Sequence, residues 1–497
     1  MISDNTKNKI KDFPNKVGFF PNLEQVESLE LEQVINLNLK SIIDSHSTPS
    51  KKFNFKLVPP PEGILIDVTH TFSYPYHSGI QRVVRSFVVA LNEIGHKTVL
   101  FRFDLTHGQP VLLSEVESKQ FYNWQEFVTL GGGVFGSPNH SPIPRLINII
   151  KPFKKFIPTS IWDFARNTAL KIKTYRFQKV SSKTFEVENI NVNVLDLRDQ
   201  KVVLPEVTSE LPRIQMIQNL SKWFNVNFIA IVYDLIPLTH PEYCTIGYDF
   251  IHYIQLFRSI NKAVCISKHT ASEVSSLLAI TPRTVSSDLQ ISSLYLGGDF
   301  TEIKNAKLDL NIEYSKFNSD EKVILMIARF EPRKNIRRVA QAMAQLQIKG
   351  QKFKFVIVGN PGWKQELIFN DIEQYKKSGL NIEYHLKLPD SELFKWYNKA
   401  YFTIFCSIVE GLGLPVIESV LFKKPCITAN SGSQAEIADL LGGCIKVNPY
   451  SVDSIKNAAE NLLNDPILYK SLKDQTEKAT WPTWNDYAKE FVELHLN

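Results

Sequence analysis

Short apolar runs, each bounded by turn formers and followed by an amphipathic stretch, recur along this chain and constrain its fold more than any other feature. Gly63-Ile64-Leu65-Ile66-Asp67-Val68 is the first. Apolar runs this short read as buried strands. A loop rich in aromatics and turn formers follows over 69–78. Residues 79–91, from Gly79-Ile80-Gln81-Arg82 to Leu91, then carry apolar side chains at helical spacing, and 97–101 form a second strand. Strand, loop, helix and strand make a βαβ unit, which requires a parallel sheet with helices on its faces. The rhythm breaks over 104–200 and resumes with strands at 227–233 and 263–266. The capping-box pattern Thr270-Ala271-Ser272-Glu273 predicts a helix start.

A second series begins after a polar linker that runs to Asp320. Strands are expected at 322–327, 353–359, 401–405 and 425–428, with helices at 335–346, 391–400 and 415–421. A length of 497 residues accommodates two such domains, each large enough for its own core. The fold class is α/β, with two Rossmann-like doubly wound domains. Ligands of such sheets bind at the carboxyl ends of the strands, so the cleft between two facing domains is the expected site.

Composition excludes several functions. Apolar residues make up 43% and charged residues 22%, as in ordinary globular proteins. Lys and Arg number 57 against 51 Asp and Glu, a net charge of +6 that is too mild to imply nucleic acid. The five cysteines, Cys244, Cys265, Cys406, Cys426 and Cys444, lack C-x-x-C spacing, which predicts reduced thiols with neither disulfide nor structural zinc. The opening residues lack the order of a signal peptide, and no run reaches the roughly 18 apolar residues of a membrane span. A cytoplasmic protein is expected.

Two segments carry chemistry. Glu410-Gly411-Leu412-Gly413-Leu414-Pro415-Val416-Ile417-Glu418 leaves a predicted strand and opens a predicted helix. Its glycines permit close approach of backbone to a ligand, and the helix N-terminus attracts a phosphate or a polar sugar face. Glu418 can accept bonds from vicinal hydroxyls. The second segment, Ala328-Arg329-Phe330-Glu331-Pro332-Arg333-Lys334-Asn335, follows the strand at 322–327. Arg329 and Lys334 converging there would neutralise a diphosphate.

These segments together resemble glycosyltransferase family 4, the retaining enzymes of the GT-B fold. The resemblance rests on the E-x(7)-E pair Glu410 and Glu418 with Arg329 and Lys334 upstream. It is extended by Val358-Gly359-Asn360-Pro361-Gly362-Trp363, by Leu388-Pro389-Asp390-Ser391-Glu392-Leu393 with Trp396-Tyr397, and by the small-residue loop from Ser431 to Glu436. Tyr233-Asp234-Leu235-Ile236-Pro237 and Gly79-Ile80-Gln81-Arg82 are the N-terminal matches. The matches are colinear over about 63–440.

The resemblance implies a hexose transfer from a nucleotide diphosphate sugar, with retention and without a metal, to a glycan or lipid-linked glycan in surface polysaccharide synthesis. Arg329 and Lys334 would hold the diphosphate, Glu418 the ribose, and Glu410 the donor sugar near its anomeric carbon. The backbone at Gly411, Leu412, Gly413 and Leu414 would cradle sugar and phosphate, with Gly79 on the opposite wall. Tyr233 and Asp234 would face the acceptor. The N-terminal segments favour mannose, hence GDP-mannose. The nucleotide sugar is a substrate, and no cofactor is expected.

The implied domains are an extension at 1–60, an acceptor domain at 61–300 with an insertion at about 104–200, a donor domain at 301–478 and a helix at 479–497. That helix crosses back to the N-terminal domain, pinned by Trp481 and Trp484. Tyr233 departs from the family's frequent histidine, and Ser78 replaces a second glycine before Gly79. His70 and His77 read as solvated loop residues.

Residues 145–179 hold nine basic side chains, among them Lys151, Lys154 and Lys155, against one acid, Asp163, with aromatics interleaved. That pattern suits an anionic membrane surface, placing the protein at the cytoplasmic face of the inner membrane, and no nucleic-acid module accompanies it. Two other functions fit the same fold: a nucleotide-sugar isomerase, and a non-catalytic partner in an assembly complex.

Overall fold

A computed structural model of the chain describes residues 51–73, 79–104, 109–122, 188–244, 250–280, 289–298 and 321–496. The chain divides into two compact units. One comprises 1–62, 67–78 and 99–198; the other comprises 63–66, 79–98 and 199–497.

In the first unit, Lys51–Val58 pairs in parallel with Glu188–Leu195, and Gln109–Leu112 pairs antiparallel with Thr98–Asp104. The sequence reading assigned no strand to any part of these segments except the start of Thr98–Asp104. Lys51–Val58 lies inside the stretch read as an extension, and two of the others lie in the insertion. Asp67 and Thr69 organise the turn after the first apolar run. The Asp67 carboxylate accepts from the Thr69 N–H at 3.0 Å, and the Thr69 hydroxyl accepts from the Phe103 N–H at 2.8 Å.

The second unit contains parallel strands in two sheets. Ile64–Asp67, Lys201–Leu204, Asn227–Val232, Lys262–Cys265 and Gln290–Ser293 follow one another in one sheet. The other has the order Ile382–Leu386, Lys354–Gly359, Val323–Ile327, Phe402–Phe405, Cys426–Ala429, Cys444–Val447. The central strands are mostly apolar because helices cover both faces. Along Val323–Ile327, Ile324 and Met326 pack with Val339, Met343 and Leu346 of the helix Ile336–Ile348. Val323 and Leu325 point the other way, toward Tyr397 and Phe422. The alternation follows the two-residue period of a strand.

Two local details follow from side-chain chemistry. The helix expected to start at the 270–273 pattern runs over Lys268–Ile280 instead. Its cap is Ser267, whose hydroxyl accepts from the Thr270 N–H at 3.0 Å. The helix Trp484–Phe491 lies on the helix Gly79–Glu93, with Phe87 edge-on to Tyr487 at 5.4 Å and to Phe491 at 4.9 Å. Trp481 before it and Trp484 at its start are packing anchors. Trp481 donates to the Leu296 carbonyl at 2.9 Å, and Trp484 is buried. Gly297 is required there, since a Cβ would sit 2.7 Å from the Thr483 carbonyl oxygen. Among the described residues, no helix is long and apolar enough to cross a membrane.

Candidate active site

The strand Val323–Ile327 delivers the chain to Arg329, after which Pro332–Lys334 forms one tight turn and Asn335 enters the left-handed region at φ 62°. Asparagine tolerates that conformation better than most residues. Asn335 is 3% exposed and donates to the carbonyls of Cys406 at 3.1 Å and Pro449 at 2.7 Å, while accepting from Arg338 at 3.1 Å. This anchorage fixes the position of its neighbour Lys334.

Lys334 Nζ reaches Glu410 Oε1 at 2.5 Å, and Arg333 Nη1 reaches Glu410 Oε2 at 2.8 Å. Arg333 also donates to the Val409 carbonyl at 3.0 Å and pairs with Glu331 at 2.9 Å. The loop bearing Glu410 is held from behind by the helix Gly432–Leu441. Gln434 accepts from the Ser407 N–H and donates to its carbonyl, and Ser433 donates to the Glu410 carbonyl at 2.7 Å. Burial opposes ionisation of Glu410, but Lys334 and Arg333 outweigh it and bring its carboxyl down to about 2. The site therefore holds an ionised carboxylate against Arg333 and Lys334, although burial pulls the Lys334 ammonium below its usual range.

Arg329 stands apart from this cluster. Its side chain is 63% exposed, donates to the Pro361 carbonyl at 3.1 Å and lies 4.0 Å from Glu331. The structure does not bring it against Lys334 or Glu410. The cation that joins Lys334 is Arg333, which the sequence reading passed over. Its signal was its place directly before Lys334, and it was obscured by Arg329, the first charge after the strand.

Gly411 is glycine for a reason beyond ligand access. A Cβ there would lie 2.2 Å from the Tyr233 carbonyl oxygen. The Gly411 carbonyl accepts from the hydroxyls of Ser267 at 2.8 Å and Thr270 at 3.3 Å. A Gly411→Ala variant must push the backbone at Tyr233 aside, and overpacking of this kind costs about 1–3 kcal/mol. Chemical denaturation should show that loss, and a variant as stable as the parent would refute the contact. Leu412 is buried, and Gly413, at φ 100°, begins the helix Leu414–Leu421 in a conformation that favours glycine. On that helix Glu418 accepts from the Tyr397 hydroxyl at 2.7 Å.

Tyr233 requires a correction. Its side chain is buried, and its hydroxyl donates to the Pro205 carbonyl at 2.7 Å. The phenol is committed to the core and does not present itself to an acceptor; what Tyr233 offers at the site is its carbonyl, against Gly411 and Thr270. Asp234 is half-buried, accepts from the Ile236 N–H at 3.0 Å and lies in the fields of Arg333 and Glu410. Burial raises its carboxyl above the usual range. Gly79 opens its helix, and an added Cβ would meet nothing within 4 Å, so packing does not require glycine there. His70 is half-buried in Thr69–Ser73. His77, Ser78 and the basic stretch 145–179 lie outside the described residues.

Comparison with known proteins bears on this geometry. The family described as Glycosyl transferases group 1 matches residues 309–479. The matched stretch, about a third of the chain, holds Arg329, Arg333, Lys334, Tyr397, Glu410 and Glu418. The chain is 23% identical over 274 residues to the serotype-specific mannosyltransferase WbdA of Escherichia coli, covering 52% of this chain and 32% of that protein. It is 26% identical over 234 residues to the O-antigen chain mannosyltransferase B of Escherichia coli, covering 46% and 58%. The chain thus spans less than two thirds of either relative. Among solved structures, sucrose-phosphate synthase from Thermosynechococcus elongatus aligns with a TM-score of 0.53 at 15% identity, covering 90% of this chain and 98% of that one. HepE from Anabaena, solved with UDP and glucose, aligns at 0.53 and 11%, covering 86% and 98%. The α/β fold is of the GT-B type.

Proposed function

We propose that this chain is a metal-independent, retaining glycosyltransferase of family 4. In this reading it moves a hexose, mannose by preference, from a nucleotide diphosphate sugar to a glycan or lipid-linked glycan of a surface polysaccharide. The observation that carries the proposal is the cluster of Lys334, Arg333 and Glu410 immediately before the helix Leu414–Leu421. Two cations around one buried carboxylate form a preorganised electrostatic site, which stabilises charge as it develops without reorganising. Lys334, with the exposed Arg329, stabilises the departing diphosphate. Glu410 contacts the donor sugar, and Glu418 binds the ribose hydroxyls. A donor phosphate oxygen takes the acceptor proton, so no side chain is assigned as base.

The names of the relatives, two mannosyltransferases, one of them of the O-antigen chain, support mannose and a surface glycan. A cytoplasmic location with peripheral membrane contact through 145–179 belongs to the same reading. The test is nucleotide release from GDP-mannose, UDP-glucose and UDP-N-acetylglucosamine in the presence of oligosaccharide acceptors, with the product's anomeric configuration read by NMR. Transfer with retention is expected. Inversion of the anomeric centre would refute the mechanism, and nucleotide release from none of these donors would refute the reading.

A further inference from the structure

We infer that Tyr397 is a positioning residue that sets the carboxylate of Glu418 for recognition of a ribose diol, and so makes the site selective for ribonucleotides over deoxyribonucleotides. The inference rests on the reading of Glu418 as the ribose-binding group.

Tyr397 comes from the helix Asp390–Lys399, and Glu418 from Leu414–Leu421. The phenol is 1% exposed, yet its hydroxyl lies 2.7 Å from Glu418 Oε2. Its ring stacks on Phe422 with centroids 4.6 Å apart and planes 4° from parallel, and Phe394 lies against Phe422 with centroids 5.5 Å apart. A ring held this way has no freedom to turn, so the hydroxyl is delivered to one point. Burial and the neighbouring carboxylate both push the phenol well above its ordinary range, so the hydroxyl keeps its proton and always donates.

The geometry matters because a glutamate alone is a poor reader of a diol. Its carboxylate rotates about a broad terminal torsion, whereas binding two vicinal hydroxyls needs a fixed plane. A carboxylate can accept about four hydrogen bonds. The bond from Tyr397 takes one on Oε2 and restrains the plane, which lowers the ordering cost when a diol binds. Loss of one diol hydroxyl then leaves a fixed acceptor unmatched, and a preorganised polar site penalises that loss far more than a mobile one. Phe422 is the last element of this arrangement. It directly follows the helix that carries Glu418, so one short segment supplies both the carboxylate and the surface that aims its donor.

The experiment compares GDP with 2′-deoxy-GDP, and UDP with 2′-deoxy-UDP, by calorimetric titration of the full-length protein, its Tyr397→Phe variant and its Glu418→Gln variant. The ratio of affinities within each protein is the readout, so a general loss of stability does not move it. For the wild type we expect the ribonucleotide to bind about tenfold tighter than its deoxy counterpart. Glu418→Gln should bring that ratio close to one, and Tyr397→Phe should lower it to about threefold. Phe422→Leu, which frees the phenol, should lower the ratio in the same direction and serves if Tyr397→Phe does not fold. If the wild type discriminates, Glu418→Gln abolishes the discrimination and Tyr397→Phe keeps it in full, Tyr397 is not a positioning residue and the inference is overturned, while the role of Glu418 stands. If the wild type binds these nucleotides without discriminating, or binds none of them, the reading of Glu418 fails and the inference fails with it.

Discussion

Replacing Lys334 by alanine should lower the transfer rate about a hundred- to a thousandfold, the usual cost of removing one preorganised group that stabilises developing charge. Lys334 is held by geometry rather than by flexibility. Asn335 beside it is locked to two carbonyls, and Nζ already sits 2.5 Å from Glu410. The stability cost should be modest, because Arg333 remains to pair with Glu410. Arg329→Ala offers the contrast. An arginine side chain that is 63% exposed contributes little to folding, so that variant should unfold like the parent while losing donor binding. Steady-state kinetics alongside thermal unfolding would separate the two. A Lys334→Ala enzyme within tenfold of the parent would sink the electrostatic mechanism.

The second large effect concerns stability. Arg213 is fully buried in the second unit, with Nη2 2.9 Å from Glu206 and Nη1 3.8 Å from Glu210. Arg85 is buried nearby and lies in the field of Glu206; burial lowers its guanidinium to about 10, with Glu206 opposing the shift. Arg213→Met would leave Glu206 as a buried charge deprived of its ion pair with Arg213, which costs about 3–5 kcal/mol. The field of Arg85 places the expected loss at the lower end. Removing both charges as Arg213→Met with Glu206→Leu should restore only part of the loss, since it also withdraws Glu206 from the buried Arg85. Denaturant titration of the single and double variants measures this. A single variant within 1 kcal/mol of the parent would contradict the account.

The physical source of each signal explains what could be read from the chain alone. Parallel strands such as Val323–Ile327 and Asn227–Val232 are visible because burial on both faces leaves almost no polar position in them. Ile382–Leu386 went unread because it is an edge strand in which Glu383, Tyr384 and His385 interrupt the apolar pattern. Lys51–Val58 alternates phenylalanine with polar residues, and its partner Glu188–Leu195 is over a hundred residues away. At the site, Glu410, Glu418 and Lys334 were legible as charged residues at strand-to-helix junctions. Arg333 was not, because Arg329 stands first after the strand, and Tyr397 was legible only as part of a motif, since its bond to Glu418 is set by helix packing. The same holds for Tyr233. A phenol after a strand looks available for ligand until its hydroxyl is seen on the Pro205 carbonyl. Gly411 was legible as a glycine, but the backbone that requires it belongs to that same distant tyrosine.

The helix Gly432–Leu441 is only about 15 Å long, yet it grips two things less than a turn apart. Ser433 and Gln434 hold the Glu410 loop. Glu436 accepts from the N–H groups of Lys268 and His269, both at 2.9 Å, and from the Tyr295 hydroxyl. A helix this short does not flex between such close attachments. It acts as a single brace that ties the start of Lys268–Ile280 to the loop carrying the carboxylate that faces Lys334.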